Sequence, residues 1–173
     1  WAKSMQDEFE ADLCRFFIAC NLGWAAVEEP YFRVFFNRWV PGASLPSRRT
    51  LAGRILDEEA ERVTKHMKDM VHGRYATGQC DGWKNINRES LVASTVNVEY
   101  RPWLLNVFDM SAIAKTAQNL LEIVVEEVKY CMNYLSTIVV GYCTDAAGDA
   151  RAMREMLRQH FPWLITVDCW AHQ

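Results

Sequence analysis

One run of residues constrains the chain more than any other: Ile138-Val139-Val140-Gly141-Tyr142-Cys143-Thr144. It is almost uniformly apolar, too short for an independent helix, and lies between two stretches of helical periodicity. Such a run reads as a central strand covered on both faces, in a sheet flanked by helices. It ends at Asp145. Carboxylates are costly to bury, so an Asp at the tip of an apolar strand is either a turn or cap residue or a ligand. A second stretch repeats the pattern: Tyr75–Asp81 reads as a strand that ends in Cys80-Asp81-Gly82-Trp83.

The order of elements around these two strands defines an architecture. After Tyr75–Asp81, residues 89–100 alternate as a second strand, with Val92, Ser94, Val96 and Val98 on one face. Arg101-Pro102 breaks it, and Trp103–Met110 forms a third strand, antiparallel to the second. Ser111 opens a long helix to about Ser136, with Ala117, Leu121, Val124, Val128, Cys131 and Leu135 along one stripe. The central strand follows, then a helix over 148–161 ended by Pro162, then a fifth strand over Trp163–Cys169. A three-strand meander, a crossover helix, a fourth strand, a helix and a fifth strand is the order of a ribonuclease-H-like fold. The class is α/β (α+β): a mixed five-stranded sheet with flanking helices. The crossover lays strand four beside strand one, in parallel, so that Asp81 and Asp145 come from neighbouring strand ends.

Residues 1–74 are a separate helical region preceding the 75–173 core. Phe9, Leu13, Phe16, Phe17 and Cys20 give a first helix over 4–23, ended by Gly23. Pro30 suits the first position of a second helix, whose stripe of Phe32, Phe35, Phe36 and Trp39 requires a cover. The linker Val40–Ser47 leads to a third helix over 48–72, capped by Ser47 and stopped by Gly73. Its charged face mixes Arg and Lys with Asp and Glu, the pattern of a solvated surface.

The 173 residues are half hydrophobic and carry seven Trp, enough for a sizeable core. The net charge of −3 argues against a basic nucleic-acid surface spread over the chain. No apolar run approaches the roughly 20 residues that span a bilayer, so no membrane association is expected. The six cysteines form no CxxC pair and read as free thiols of an intracellular, reducing compartment. The chain starts at Trp1 rather than Met, and reads as a piece of something longer.

Two carboxylates at adjacent strand ends can share Mg²⁺ or Mn²⁺, a hard cation that prefers oxygen ligands. Two such ions would activate a water and stabilise the leaving oxygen of a phosphodiester. The alternative is that Asp81 opens an Asp-Gly turn and Asp145 caps the following helix. Cys169 and His172 form a CxxH pair, either half of a zinc site or a buried thiol with a hydrogen-bonded imidazole, and Asp168 is a further acid nearby. Neither a GxSxG elbow nor a phosphate-binding glycine loop is present.

With these residues in place, the chain resembles the transposases of the hAT superfamily over about 15–173. Leu45-Pro46-Ser47-Arg48-Arg49-Thr50-Leu51, Cys80-Asp81-Gly82-Trp83, Thr144-Asp145-Ala146-Ala147-Gly148-Asp149 and Asp168-Cys169-Trp170-Ala171-His172 follow that family's motifs in order. The resemblance implies a catalytic core for cut-and-paste DNA transposition in the nucleus, with Asp81 and Asp145 as the first two metal-binding acids. Cys169 and His172 match an element tied to DNA handling, and Trp83 matches the aromatic after the first acid. Two departures bear on activity. The family's third acid, a Glu, would lie beyond Gln173, and its Asn after the second Asp is Ala146 here. The expectation is weak metal binding and no unaided DNA cleavage by this chain, with DNA a partner of the intact parent. The other expectation is a domesticated, non-catalytic interaction module in which residues 1–72 bind a protein partner or a second copy.

Overall fold

The computed structural model describes residues 1–170. The chain divides into two compact units, Trp1–His66 and Met67–Gln173. Among the described residues no helix is long and apolar enough to cross a membrane.

The first unit is helical. It contains α1 (Lys3–Ala19), a 3-10 turn (Trp24–Glu28), α2 (Pro30–Trp39), α3 (Arg48–Thr50), a π-helical turn (Leu51–Ile55) and most of α4 (Leu56–Val71). Its core is aromatic: Leu13, Cys14, Phe17, Val27, Leu51 and Ile55 are buried, with Phe9, Trp24, Phe32 and Phe36 packed around them. Phe17 stacks on Trp24 at 5.9 Å between ring centroids, and Phe32 on Phe36 at 4.7 Å. The stripe expected on α2 is only half used. Phe32 and Phe36 pack, while Phe35 and Trp39 stay exposed.

The single helix expected over 48–72 is interrupted, because Gly53 adopts a non-helical backbone (φ −113°, ψ −106°) inside the π-helical turn. Ser47 caps α3 as expected, its hydroxyl accepting from the Thr50 N–H at 3.1 Å. The charged face is not simply solvated. Glu59 is buried and paired with Arg15 (2.8 Å) and Arg62, and Arg54 reaches Glu10 at 2.7 Å.

The second unit is a mixed five-stranded sheet with helices, in a ribonuclease-H-like arrangement. The strands are β1 (Tyr75–Lys84), β2 (Ser90–Val98), β3 (Arg101–Asp109), β4 (Ile138–Thr144) and β5 (Ile165–Asp168); the helices are α5 (Ala117–Asn133) and α6 (Gly148–His160). Sheet order is β3-β2-β1-β4-β5, with β1–β2 and β2–β3 antiparallel and β1–β4 and β4–β5 parallel. The core is built on Val92, Val96, Val124, Val128, Leu135, Tyr142, Met153 and Leu157.

Several boundaries differ from the sequence reading, each for a local reason. β1 continues three residues past Asp81, since β2 supplies ladder partners as far as Lys84↔Ser90. The break expected at Arg101-Pro102 falls instead at Glu99-Tyr100, both in the left-handed region (φ 51° and 64°), as a two-residue hairpin turn requires. Pro102 sits inside β3, tolerated because β3 is an edge strand. Helix α5 starts at Ala117 rather than Ser111: Thr116 caps it by accepting from the Asn119 N–H at 3.2 Å. Ser111 is held in a turn by Asp109. β4 spans the expected residues, but Ile138 and Val140 on one face are 46% and 37% exposed. That face is not covered by the described residues.

Candidate functional site

The site follows from unequal strand lengths. The parallel pairing of β1 with β4 ends at Gln79↔Cys143, while β1 runs on with β2 alone. Asp81 and Asp145 each lie two residues beyond that last pair, so the two acids come out where the parallel pairing of the two strands ends. Both line one cavity of about 230 Å³, together with Gln79, Cys80, Thr95, Cys143 and Cys169.

Each carboxylate has one oxygen fixed by local backbone. Asp81 Oδ1 accepts from the Gly82 N–H at 2.8 Å, and Asp145 Oδ1 from the Ala147 N–H at 3.2 Å. Neither is the expected turn or cap. Asp81 and Gly82 lie in the strand ladder opposite Ala93 and Val92, and α6 has Ala147 at its N-cap without a side-chain cap bond. Oδ2 of each acid has no hydrogen bond among the described residues. These two hard oxygen donors fit a Mg²⁺ or Mn²⁺ ion whose other positions go to water or phosphate. Among the described residues, no group of three His, Cys, Asp or Glu side chains is placed to hold a metal ion by itself.

Asp168 does not complete the set, because Arg154 takes its carboxylate. Arg154 is a functional residue that sequence reasoning missed. The residue is 4% exposed, and its guanidinium donates to Thr144 Oγ1, to the Asp145 carbonyl at 2.7 Å and to Asp168. One buried cation thus joins the ends of β4 and β5 and fixes the main chain of the second acid. A signal existed in the sequence: Arg154 occupies the apolar stripe of α6 with Ala150, Met153 and Leu157, where a charge needs a buried partner.

Burial disfavours the thiolate form of two cysteines at the site. Burial pushes the Cys80 thiol up to about 11; the Tyr142 hydroxyl facing it acts the other way, and the Asp145 and Asp81 carboxylates add to the rise. Burial, and then Cys169, raise the Cys143 thiol as well. All six cysteines are free. Cys169 joins the site through its backbone too, its N–H donating to the Thr144 carbonyl at 2.7 Å. Trp83, opposite Leu91 in the ladder and 44% exposed, does not line the cavity. His172 lies outside the described residues. Lys115 stands beside Gly82, where an added Cβ would lie 3.3 Å from its Nζ.

A family model described as a domain of unknown function, DUF659, matches residues 46–173. No curated protein and no solved structure matches the chain.

Proposed function

Since the chain belongs to the DUF659 family, we propose that it carries the front part of a ribonuclease-H-like DNA transposase core of the hAT type, whose intact parent cuts and joins DNA in the nucleus. The family occurs in transposase-like proteins of that type, which supports the reading. The observation that carries it is the side-by-side position of Asp81 and Asp145 in one cavity. Their Oδ2 oxygens would hold Mg²⁺ or Mn²⁺, an ion that in such a site activates water and stabilises a leaving phosphodiester oxygen. The chain's own contribution is positional. Backbone N–H groups orient each carboxylate, and Arg154 holds the Asp145 main chain still. Among the described residues no third acid is placed beside these two, so the binding expected of this pair is weak.

The test is a titration with Mn²⁺, followed by electron paramagnetic resonance of the free ion, on wild type and on Asp81→Asn and Asp145→Asn. Weak binding that drops at least tenfold in each variant supports the site. Equal binding by all three proteins refutes it. A second reading is a non-catalytic scaffold whose helical unit binds a protein or a second copy. It draws on α2, where Tyr31 is 83%, Phe35 51% and Trp39 64% exposed, more aromatic surface than one short helix normally leaves to water. A folded wild type that binds no Mn²⁺ but self-associates, and loses that association in Trp39→Ala, favours it.

A further inference from the structure

The second unit contains another concave surface, away from the paired acids. Strand β3 pairs only with β2, so its outer edge offers backbone N–H and C=O groups with no ladder partner among the described residues. Beside that edge a groove of about 690 Å³ runs between β3 and α5. Leu105 and Phe108 form one wall and Tyr130 part of the other. Glu122 and Glu126 are exposed at its rim, and Glu127, 8% exposed, lies at its floor. Lys129 pairs with Glu126 at 2.7 Å, but no cation pairs with Glu122 or Glu127 among the described residues.

Glu127 is the telling residue. Its Oε2 is buried with no well-formed hydrogen bond among the described residues; the buried Ser94 hydroxyl faces it but is likewise without one, and burial holds the Glu127 carboxyl above the usual range, offset in part by that hydroxyl. A buried carboxylate left in this state is costly, and an incoming cation would relieve the cost. Nucleic acid is a poor occupant, since three carboxylates repel phosphate. A purely apolar segment would leave Glu127 as it is.

We propose that this groove docks an extended basic segment of a partner protein, which adds as a strand to the free edge of β3 and sets a Lys or Arg side chain against Glu127. The dimensions agree. From Glu122 to Tyr130 the helix rises about 12 Å, a length that about four extended residues cover. Strand addition of this kind takes its affinity from the backbone and its specificity from alternate side chains.

The experiment uses the full chain with labelled methyl groups and the peptide acetyl-Arg-Thr-Leu-Thr-Arg-amide, whose alternate residues present two cations and one apolar side chain. The expected result is saturable shifts at the Leu105 methyls and the β3 amides, with affinity falling about tenfold in Glu127→Gln. The exposed rim variant Glu126→Gln should fall about twofold, and it keeps the test open if Glu127→Gln does not fold. Several results overturn the proposal: no shift at millimolar peptide, equal binding of the Glu-Thr-Leu-Thr-Glu peptide, or wild-type affinity in a folded Glu127→Gln. Concentration-dependent shifts at the same residues without peptide also overturn it, because a second copy would then be the occupant.

Discussion

Replacing Asp168 with alanine should cost more stability than replacing Arg154 with methionine, although both changes break the same ion pair. The two side chains are unequally buried, at 5% exposed for Arg154 and 43% for Asp168. In Asp168→Ala the guanidinium stays in the core and its Nη2 loses its acceptor, while Nη1 keeps Thr144 Oγ1 and the Asp145 carbonyl. A buried charge stripped of its counter-ion costs about 3–5 kcal/mol, and the two remaining acceptors put this case near 3. In Arg154→Met the charge itself is removed and a side chain of similar length fills the space. Asp168 returns to water. Two charge-assisted hydrogen bonds are lost at about 1.5–3 kcal/mol each, largely offset because no guanidinium now has to be desolvated, for a net cost of about 1–2 kcal/mol. Urea unfolding at neutral pH, with unchanged m-values, measures the difference. The double variant should be no less stable than Asp168→Ala alone, because the stranded charge is gone. The reasoning is refuted if Arg154→Met costs as much as Asp168→Ala. Such a result would mean that the bonds to β4, rather than the charge pairing, hold the two strand ends together.

Two other perturbations probe the packing of the same unit. Gly78 lies against the ring of the fully buried Tyr142, and a Cβ there would fall 2.5 Å from two ring carbons; Gly78→Ala should therefore destabilise by about 2–3 kcal/mol in urea, and a cost below 0.5 would show that the ring has room to move. Glu127 titrates above its unfolded value, so its contribution is fully present at pH values below the unfolded carboxyl range and is lost as the pH rises through the folded value. Glu127→Gln should consequently gain on wild type as the pH goes from 4 to 7 in thermal melts, and a variant that loses ground on wild type with rising pH contradicts the burial argument.

How far the sequence could be read depended on whether a residue's neighbours in space were also its neighbours in sequence. β4 was legible at both ends because an apolar run between two amphipathic helices has one good solution. The cap of α3 was legible because Ser47 and Thr50 are three residues apart. The extension of β1 through Asp81-Gly82 was not, since a dipeptide that usually turns is held extended by ladder bonds to β2. The hairpin at Glu99-Tyr100 carries none of the glycine or asparagine that marks such turns, so the proline after it took the blame. Asp145 was legible as the carboxylate just past β4, whereas Asp81, read as the end of its strand, lies inside a β1 that runs on to Lys84. Arg154 was not recognised, because its partners sit on two different strands and only the fold brings them to it.

The place of the cavity has an argument that needs no family. Leaving β1, the chain turns into β2 and then β3, on one side; leaving β4, it passes through α6 into β5, on the other. Parallel neighbours whose continuations diverge cannot both be followed by a covering connection at their C-terminal ends, and ligands of open α/β sheets bind in the crevice this leaves. Asp81 and Asp145 are the acids at that crevice, and Arg154 closes its β5 side. A loss of Mn²⁺ binding in Asp81→Asn and Asp145→Asn would assign an ion to this crevice. Its persistence would leave the crevice without its proposed occupant and shift the weight to the helical unit and the groove beside β3.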